Sequence, residues 1–108
     1  MISTHVLDTA RGAPAVSLAV ALHVREGDAW RAIAQRTTDT DGRVRSFSDA
    51  ALAAGVYRLT FDTAPYHRAH GVTPFFAEVA VTFEVHTGGT YHVPVLLSPF
   101  GYSTYRGT

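Results

Sequence analysis

The sequence contains no cysteine and no lysine, and its nine basic residues, all arginine, are matched by nine acidic ones. The first absence removes disulfide bonding and thiolate nucleophiles, and makes a cytosolic domain the expectation. The second, with a formal net charge of zero, removes the basic excess that a nucleic-acid or anionic-membrane surface requires. No apolar run is long enough to cross a bilayer. Met1 to His5 lack the charged and apolar regions of a secretory leader. Also missing are a glycine-rich phosphate loop, a serine-centred nucleophile elbow and a basic-aromatic stripe. With little charge to hold copies apart, self-association is expected.

What is present is alternation along a chain that suits one domain, residues 1–108, with 46% apolar residues. Val16, Leu18, Val20, Leu22 and Val24 form an unbroken apolar face against Ser17, Ala19, Ala21, His23 and Arg25, which predicts a strand over 16–25. Ile2, Thr4 and Val6 alternate with Ser3, His5 and Leu7 in the same way. Further strands are predicted over 30–38, 43–47, 57–61, 76–85 and 91–97, and Ala77, Val79, Val81, Phe83 and Val85 are expected to face inward. Glu26-Gly27-Asp28, Thr40-Asp41-Gly42 and Ser98-Pro99-Phe100-Gly101 read as turns, and residues 9–14 and 48–54 as loops. Thr87-Gly88-Gly89 reads as a hairpin into the strand at 91–97, after which Tyr102 to Arg106 is a short extended run. Thr63 as N-cap, Pro65 in the first turn and Gly71 as stop predict one helix over 64–70. The expected fold is all-β: a two-sheet antiparallel sandwich of about eight strands with one short helix.

Four side chains stand out chemically. With Val6 and Val93 in the core, His5 and His92 face out of the sandwich, where two imidazoles can divide the work of activating water and protonating a leaving nitrogen. Arg43 follows the Asp-Gly turn and opens a strand, so its forked donors suit the carbonyl or oxyanion groups of a planar ring. The last residue, Thr108, offers a hydroxyl beside Arg106. Taken alone, each of these is a weak signal, and ordinary surface decoration is the more common case. His67 and His70 have the i, i+3 spacing of a metal pair but no third ligand, and read as surface residues. Asp39 and Asp41 read as turn formers.

The run Tyr91-His92-Val93-Pro94, the Leu96-Leu97-Ser98-Pro99 segment and the final Gly101-Tyr102-Ser103-Thr104-Tyr105-Arg106-Gly107 resemble the C-terminal signature of the transthyretin-related 5-hydroxyisourate hydrolases. Ser3-Thr4-His5-Val6-Leu7-Asp8 with Gly12 and Pro14, Thr37-Thr38 with Asp41-Gly42-Arg43, and the Tyr66 and Phe75-Phe76 neighbourhoods extend the likeness along essentially the whole chain. The family's last residue is usually serine; Thr108 keeps the hydroxyl and adds a methyl. The resemblance implies an eight-stranded sandwich with a short helix after the fifth strand, assembled as a homotetramer, a dimer of dimers.

It also implies hydrolysis of 5-hydroxyisourate, the unstable product of urate oxidation, to 2-oxo-4-hydroxy-4-carboxy-5-ureidoimidazoline, with no cofactor and no metal. Carried over by position, the active site comprises His5, Arg43, His92 and Thr108, with Tyr105, Arg106 and Gly107 binding the substrate. Either histidine can be base or acid in this reading, because a close pair titrates as a unit. Two other readings compete. One is a transthyretin-like carrier of an aromatic, hormone-like ligand, which lacks this histidine, arginine and Tyr-Arg-Gly set. The other is an accessory β-sandwich interaction module.

Overall fold

Burial alternates residue by residue along β1 (Ile2–Asp8): Ile2, Thr4, Val6 and Asp8 are buried, and Ser3, His5 and Leu7 are half-buried. One face therefore belongs to a core and the other looks outward, the condition that makes a strand of a sequence alternating in this way. The computed structural model describes residues 1–86 and 88–108. These residues form the strands β1, β2 (Ala13–Pro14), β3 (Ala19–Glu26), β4 (Ala29–Thr37), β5 (Arg43–Val44) and β6 (Gly55–Phe61), then helix α1 (Thr63–Ala69) and strands β7 (Val79–Val85), β8 (Tyr91–Leu97) and β9 (Tyr102–Thr104).

Two sheets pack face to face. One runs β2-β1-β8-β9, with the two-residue β5 also paired to β1; the other runs β4-β3-β6-β7. The expected antiparallel sandwich with one short helix is what forms, with a single exception among its pairings. β1 and β8 run parallel, in register from Ile2 opposite Tyr91 to Asp8 opposite Leu97. Between the sheets lie Leu18, Val20, Leu22, Phe47, Leu59, Phe61, Val79 and Val95, all essentially inaccessible to solvent. Each large side chain buried in this way stabilises the fold by about 1.5–3 kcal/mol.

Several boundaries differ from the sequence pattern. The strand expected from Val16 begins at Ala19, because Ser17 takes a left-handed φ of 63° and the buried Thr38 ties this bend together. The Thr38 hydroxyl donates to the Ala15 carbonyl at 2.6 Å and accepts the Leu18 amide at 2.9 Å. β5 stops at Val44, well short of Phe47. β7 starts at Val79, so Ala77, expected inside, is exposed outside the strand. The helix begins one residue early: Asp62 occupies the N-cap position without a side-chain capping bond, and Thr63 is buried in the first turn. The hairpin expected at Thr87-Gly88-Gly89 does not form, although Thr87 itself lies outside the described residues. β7 pairs with β6 in one sheet, whereas β8 pairs with β1 and β9 in the other, so the chain crosses between sheets here.

Helix α1 is fastened to β1 by a polar contact. The Tyr66 hydroxyl donates to Asp8 Oδ2 at 2.8 Å, and the Arg11 amide donates to Asp8 Oδ1 at 3.0 Å. Desolvation, reinforced by this bond to a carboxylate, pushes the Tyr66 phenol above its ordinary value, which keeps it a donor. Tyr66→Phe strips a buried carboxylate oxygen of its partner and is expected to cost about 1–3 kcal/mol. Urea denaturation monitored by far-ultraviolet circular dichroism measures it as a lower midpoint at unchanged slope.

Candidate active site

Strand register places the chemistry. Ser3 stands opposite His92 across the parallel β1–β8 pair, and His5 stands opposite Arg43 across the antiparallel β1–β5 pair. Directly opposed residues share a face. Because Thr4, Val6, Val93 and Val95 fill the core side, Ser3, His5, Arg43 and His92 all lie on the outer face of this sheet.

The turn before Arg43 is built to hold its backbone. Asp39 Oδ1 accepts the amides of Asp41 and Arg43 at 2.8 and 3.0 Å, and the Asp39 amide donates to the Arg43 carbonyl at 2.9 Å. These amide bonds, the one from Arg43 foremost, keep the Asp39 carboxyl below its usual range. Gly42 completes the turn with a φ of 74°, and a Cβ there would stand 2.5 Å from the Val6 carbonyl oxygen. Only glycine meets both requirements. The reading of Asp39 and Asp41 as turn formers is therefore correct.

The half-buried His92 is held from two sides. Its Nδ1 lies 2.9 Å from the Ser3 hydroxyl. Gly107 packs close against the ring, and a Cβ at Gly107 would fall 2.5 Å from His92 Cδ2. The Gly107 amide donates to the His92 carbonyl at 2.8 Å. Any side chain at 107 would push the imidazole out of place. Desolvation, then the positive charge of Arg43 and the neighbouring His5, lower the His92 pKa below its ordinary value. The ring is therefore neutral, and able to accept a proton, at neutral pH.

Pro94 shapes the chain beyond β9. The β8–β9 ladder runs from Leu97–Tyr102 to Val95–Thr104, lapses opposite Pro94, and resumes in the same register at His92–Gly107. Proline has no amide to offer Tyr105; instead the Thr104 hydroxyl donates to the Pro94 carbonyl at 2.8 Å. Released from the ladder, Arg106 swings its guanidinium over the Tyr91 ring, 4.8 Å from the centroid.

These elements line an open cavity of about 450 Å³ whose lining includes Ser3, Arg43, His92, Arg106, Gly107 and Thr108. A smaller cavity of about 210 Å³ adjoins it across His92 and Arg106, and is lined by Tyr91, Tyr105 and Phe83 among others. Of the residues anticipated from sequence, Arg43, His92, Arg106, Gly107 and Thr108 share the larger cavity. Tyr105, largely exposed, belongs to the smaller one. His5 stands beside Arg43 but does not line either. Ser3 is the contact that sequence reasoning passed over, since nothing local reveals a partner 89 positions away. Of the histidine pair at 67 and 70, expected at the surface, only His70 is found there. His67 is only 3% exposed, because Thr63, Ala64, Tyr66 and His67 are the face of α1 turned inward. His70 is exposed, and its Nδ1–H donates to the Tyr66 carbonyl at 3.0 Å. Among the described residues no three His, Cys, Asp or Glu side chains cluster as metal ligands.

The model of the HIUase/Transthyretin family matches residues 2–107. The chain belongs to this family. 5-Hydroxyisourate hydrolase 2 of Rhizobium meliloti is 46% identical over 114 residues, an alignment spanning 99% of this chain and 95% of that protein. The solved structure of Klebsiella pneumoniae 5-hydroxyisourate hydrolase superposes with a TM-score of 0.89 at 38% identity, covering 99% of this chain and 98% of the other. Transthyretin of Sparus aurata superposes with a TM-score of 0.92 at 35% identity, covering 98% and 95%. The backbone thus fits both branches of the family equally well, and the side chains around His92 must distinguish them.

Arg43 and His92 are coupled through space, which yields a titration test. The guanidinium disfavours the imidazolium, so its removal in Arg43→Gln is expected to raise the His92 pKa toward the ordinary histidine value. Carbon-13 chemical shifts of the labelled imidazole, followed against pH, check this. A midpoint that stays put or falls contradicts the assigned geometry.

Proposed function

We propose that the protein hydrolyses 5-hydroxyisourate, opening its six-membered ring to 2-oxo-4-hydroxy-4-carboxy-5-ureidoimidazoline. The carrying observation is the convergence of His92, Arg43, Arg106 and Thr108 on one cavity, in a chain whose relatives named 5-hydroxyisourate hydrolase run along its whole length. In this reading neutral His92 takes a proton from water as the water oxygen bonds to a ring carbonyl carbon. The ring C–N bond then breaks, and the departing nitrogen collects a proton. Arg43 and Arg106 balance negative charge on the substrate oxygens. Thr108 orients water or substrate through its hydroxyl, His5 is the second imidazole beside Arg43, and Tyr105 and Gly107 shape the site. A cytosolic location suits a cysteine-free chain in which no described helix is long and apolar enough to cross a membrane. The alternative, a carrier of an aromatic ligand, suits the same fold but gives His5, Arg43 and His92 nothing to do.

The direct test adds purified protein to freshly generated 5-hydroxyisourate. Accelerated decay of the ultraviolet band with a single enantiomer of product is the expected result, and an unchanged decay rate would falsify the reading. His92→Asn and His5→Asn should each keep the fold and lose about 10²- to 10⁴-fold in turnover, the usual contribution of acid-base catalysis. Thr108→Ser should be nearly neutral, whereas Thr108→Val, matched in shape but lacking the hydroxyl, should lose about ten- to a hundred-fold. Full activity in Thr108→Val would confine that residue to packing.

The same reading includes a homotetramer, a dimer of dimers, that closes the open site. It is supported by an apolar cluster at one end of the sandwich, where Phe75 and Phe100 are 74% and 75% exposed and Phe76 meets Tyr102 edge to face at 5.4 Å. Apolar surface gathered in this way is characteristic of an interface. Light scattering is expected to give four times the chain mass. A stable monomer at micromolar concentration would remove this part of the proposal.

A further inference from the structure

One contact at the site has no part in the proposed reaction: the 2.9 Å approach of the Ser3 hydroxyl to His92 Nδ1. Among the described residues it is the only hydrogen bond to the imidazole, and it comes from the neighbouring strand in the parallel ladder. A histidine ring presents one nitrogen as donor and the other as acceptor, and the partner of the first decides the role of the second. With Nδ1 engaged by Ser3, Nε2 is the nitrogen left for the cavity.

We propose that Ser3 is a positioning residue that fixes the tautomer of His92, keeping the proton on Nδ1 and the bare Nε2 lone pair toward the cavity. This rests on the reading of His92 as a proton-transfer group. The charges around the ring select the direction of the bond. Arg43 and Arg106 line the cavity with His92. The Arg43 guanidinium, whose charge acts on the ring, attracts a lone pair and repels an N–H dipole, so the tautomer with hydrogen on Nδ1 is favoured. Its Nδ1–H then donates to Ser3 Oγ. When Nε2 takes a proton from water, the Nδ1–H bond to Ser3 stays in place, now charge-assisted and stronger. The imidazolium formed during the reaction is thereby supported without movement of the ring. Of the other titratable or charged residues, Tyr91 and Tyr105 border the smaller cavity, Thr108 the larger one, and Met1 and Arg45 a third that His92 also lines, while His5 on β1 and Glu84 on β7 lie nearby. Glu84 lines the smaller cavity and is exposed to solvent, and no hydrogen bond connects either of them to the imidazole.

Ser3 lies half-buried on the outer face, outside the packed core, so its hydroxyl can be removed without opening a void between the sheets. The test has a kinetic and a spectroscopic arm. In the wild-type protein, nitrogen-15 shifts of the labelled His92 ring are expected to show a protonated Nδ1 and an unprotonated Nε2 at neutral pH. In Ser3→Ala that tautomer is expected to give way to a mixture. Turnover should fall about tenfold with KM within about threefold, since the lost bond supports the imidazolium rather than substrate binding. The acid limb of the pH-rate profile should move to lower pH, because an acceptor that favours the protonated ring has gone. Ser3→Thr keeps the hydroxyl and should restore both tautomer and rate. A wild-type ring protonated on Nε2, or tautomer populations unaltered in Ser3→Ala, overturns the proposal whatever the rates do. Full turnover in folded His92→Asn instead removes the catalytic reading of that histidine, while the nitrogen shifts still decide whether Ser3 sets its tautomer.

Discussion

The parallel, in-register pairing of β1 with β8 is the constraint on which the rest depends. It joins the centre of one sheet, sets Val6 and Val95 side by side in the core, and on the opposite face sets Ser3 beside His92 and His5 beside Pro94. Side chains alternate along a strand, so a slip of one residue would turn His92 inward and Val93 outward. Core packing therefore fixes the register, and the register fixes the site. Arg43 depends on the same strand, because β5 lies along β1 and takes its alignment from Thr4 and His5.

The closing segment works by restraint of a different kind. Pro94 interrupts the β8–β9 ladder where an amide is required, and the bond from Gly107 to the His92 carbonyl restores it two residues earlier on β8. The interval between the two leaves Tyr105 and Arg106 outside the sheet but held at both ends. Their side chains are thereby free to line cavities on either side of His92 while their backbone cannot wander. Gly107 lies so close to the imidazole that the ring rests against peptide rather than side chain. A wall of this sort is stiff, since it has no rotamers to exchange.

Much of this was legible in the residues themselves. Alternation over Ile2–Asp8, the apolar face from Leu18 to Leu22, and Tyr57, Leu59 and Phe61 each reported correctly which side meets the core, because facing is a local property of a strand. Pairing is not local. Thr87-Gly88-Gly89 has hairpin composition, yet the strands on either side belong to different sheets, and no pattern within seven or eight residues encodes that choice. Ala77 is apolar in a run of apolar residues but stands before the strand begins. His67 shows the corresponding limit for a helix: spacing groups residues onto a face without saying which face the sheet will cover. Arg43, His92 and the Tyr105–Gly107 segment were recognisable through their motifs. The role of Ser3 was not, since it exists only in the geometry of two strands far apart in sequence.

That distance along the chain has a bearing on how the protein acquires its activity. The contacts that build the site join residues 2–8 to residues 91–97, among the longest-range pairings this sequence can make, and closing so large a loop is entropically unfavourable until many contacts form together. The β3–β4 hairpin and the β6–β7 pair can fold on nearby sequence, but none of the proposed catalytic side chains lies on them. A chain that has assembled the second sheet alone carries none of the larger cavity. His92 gains Ser3 and Arg43 only when the last strands close onto the first, so assembly of the proposed site and completion of the fold are one event.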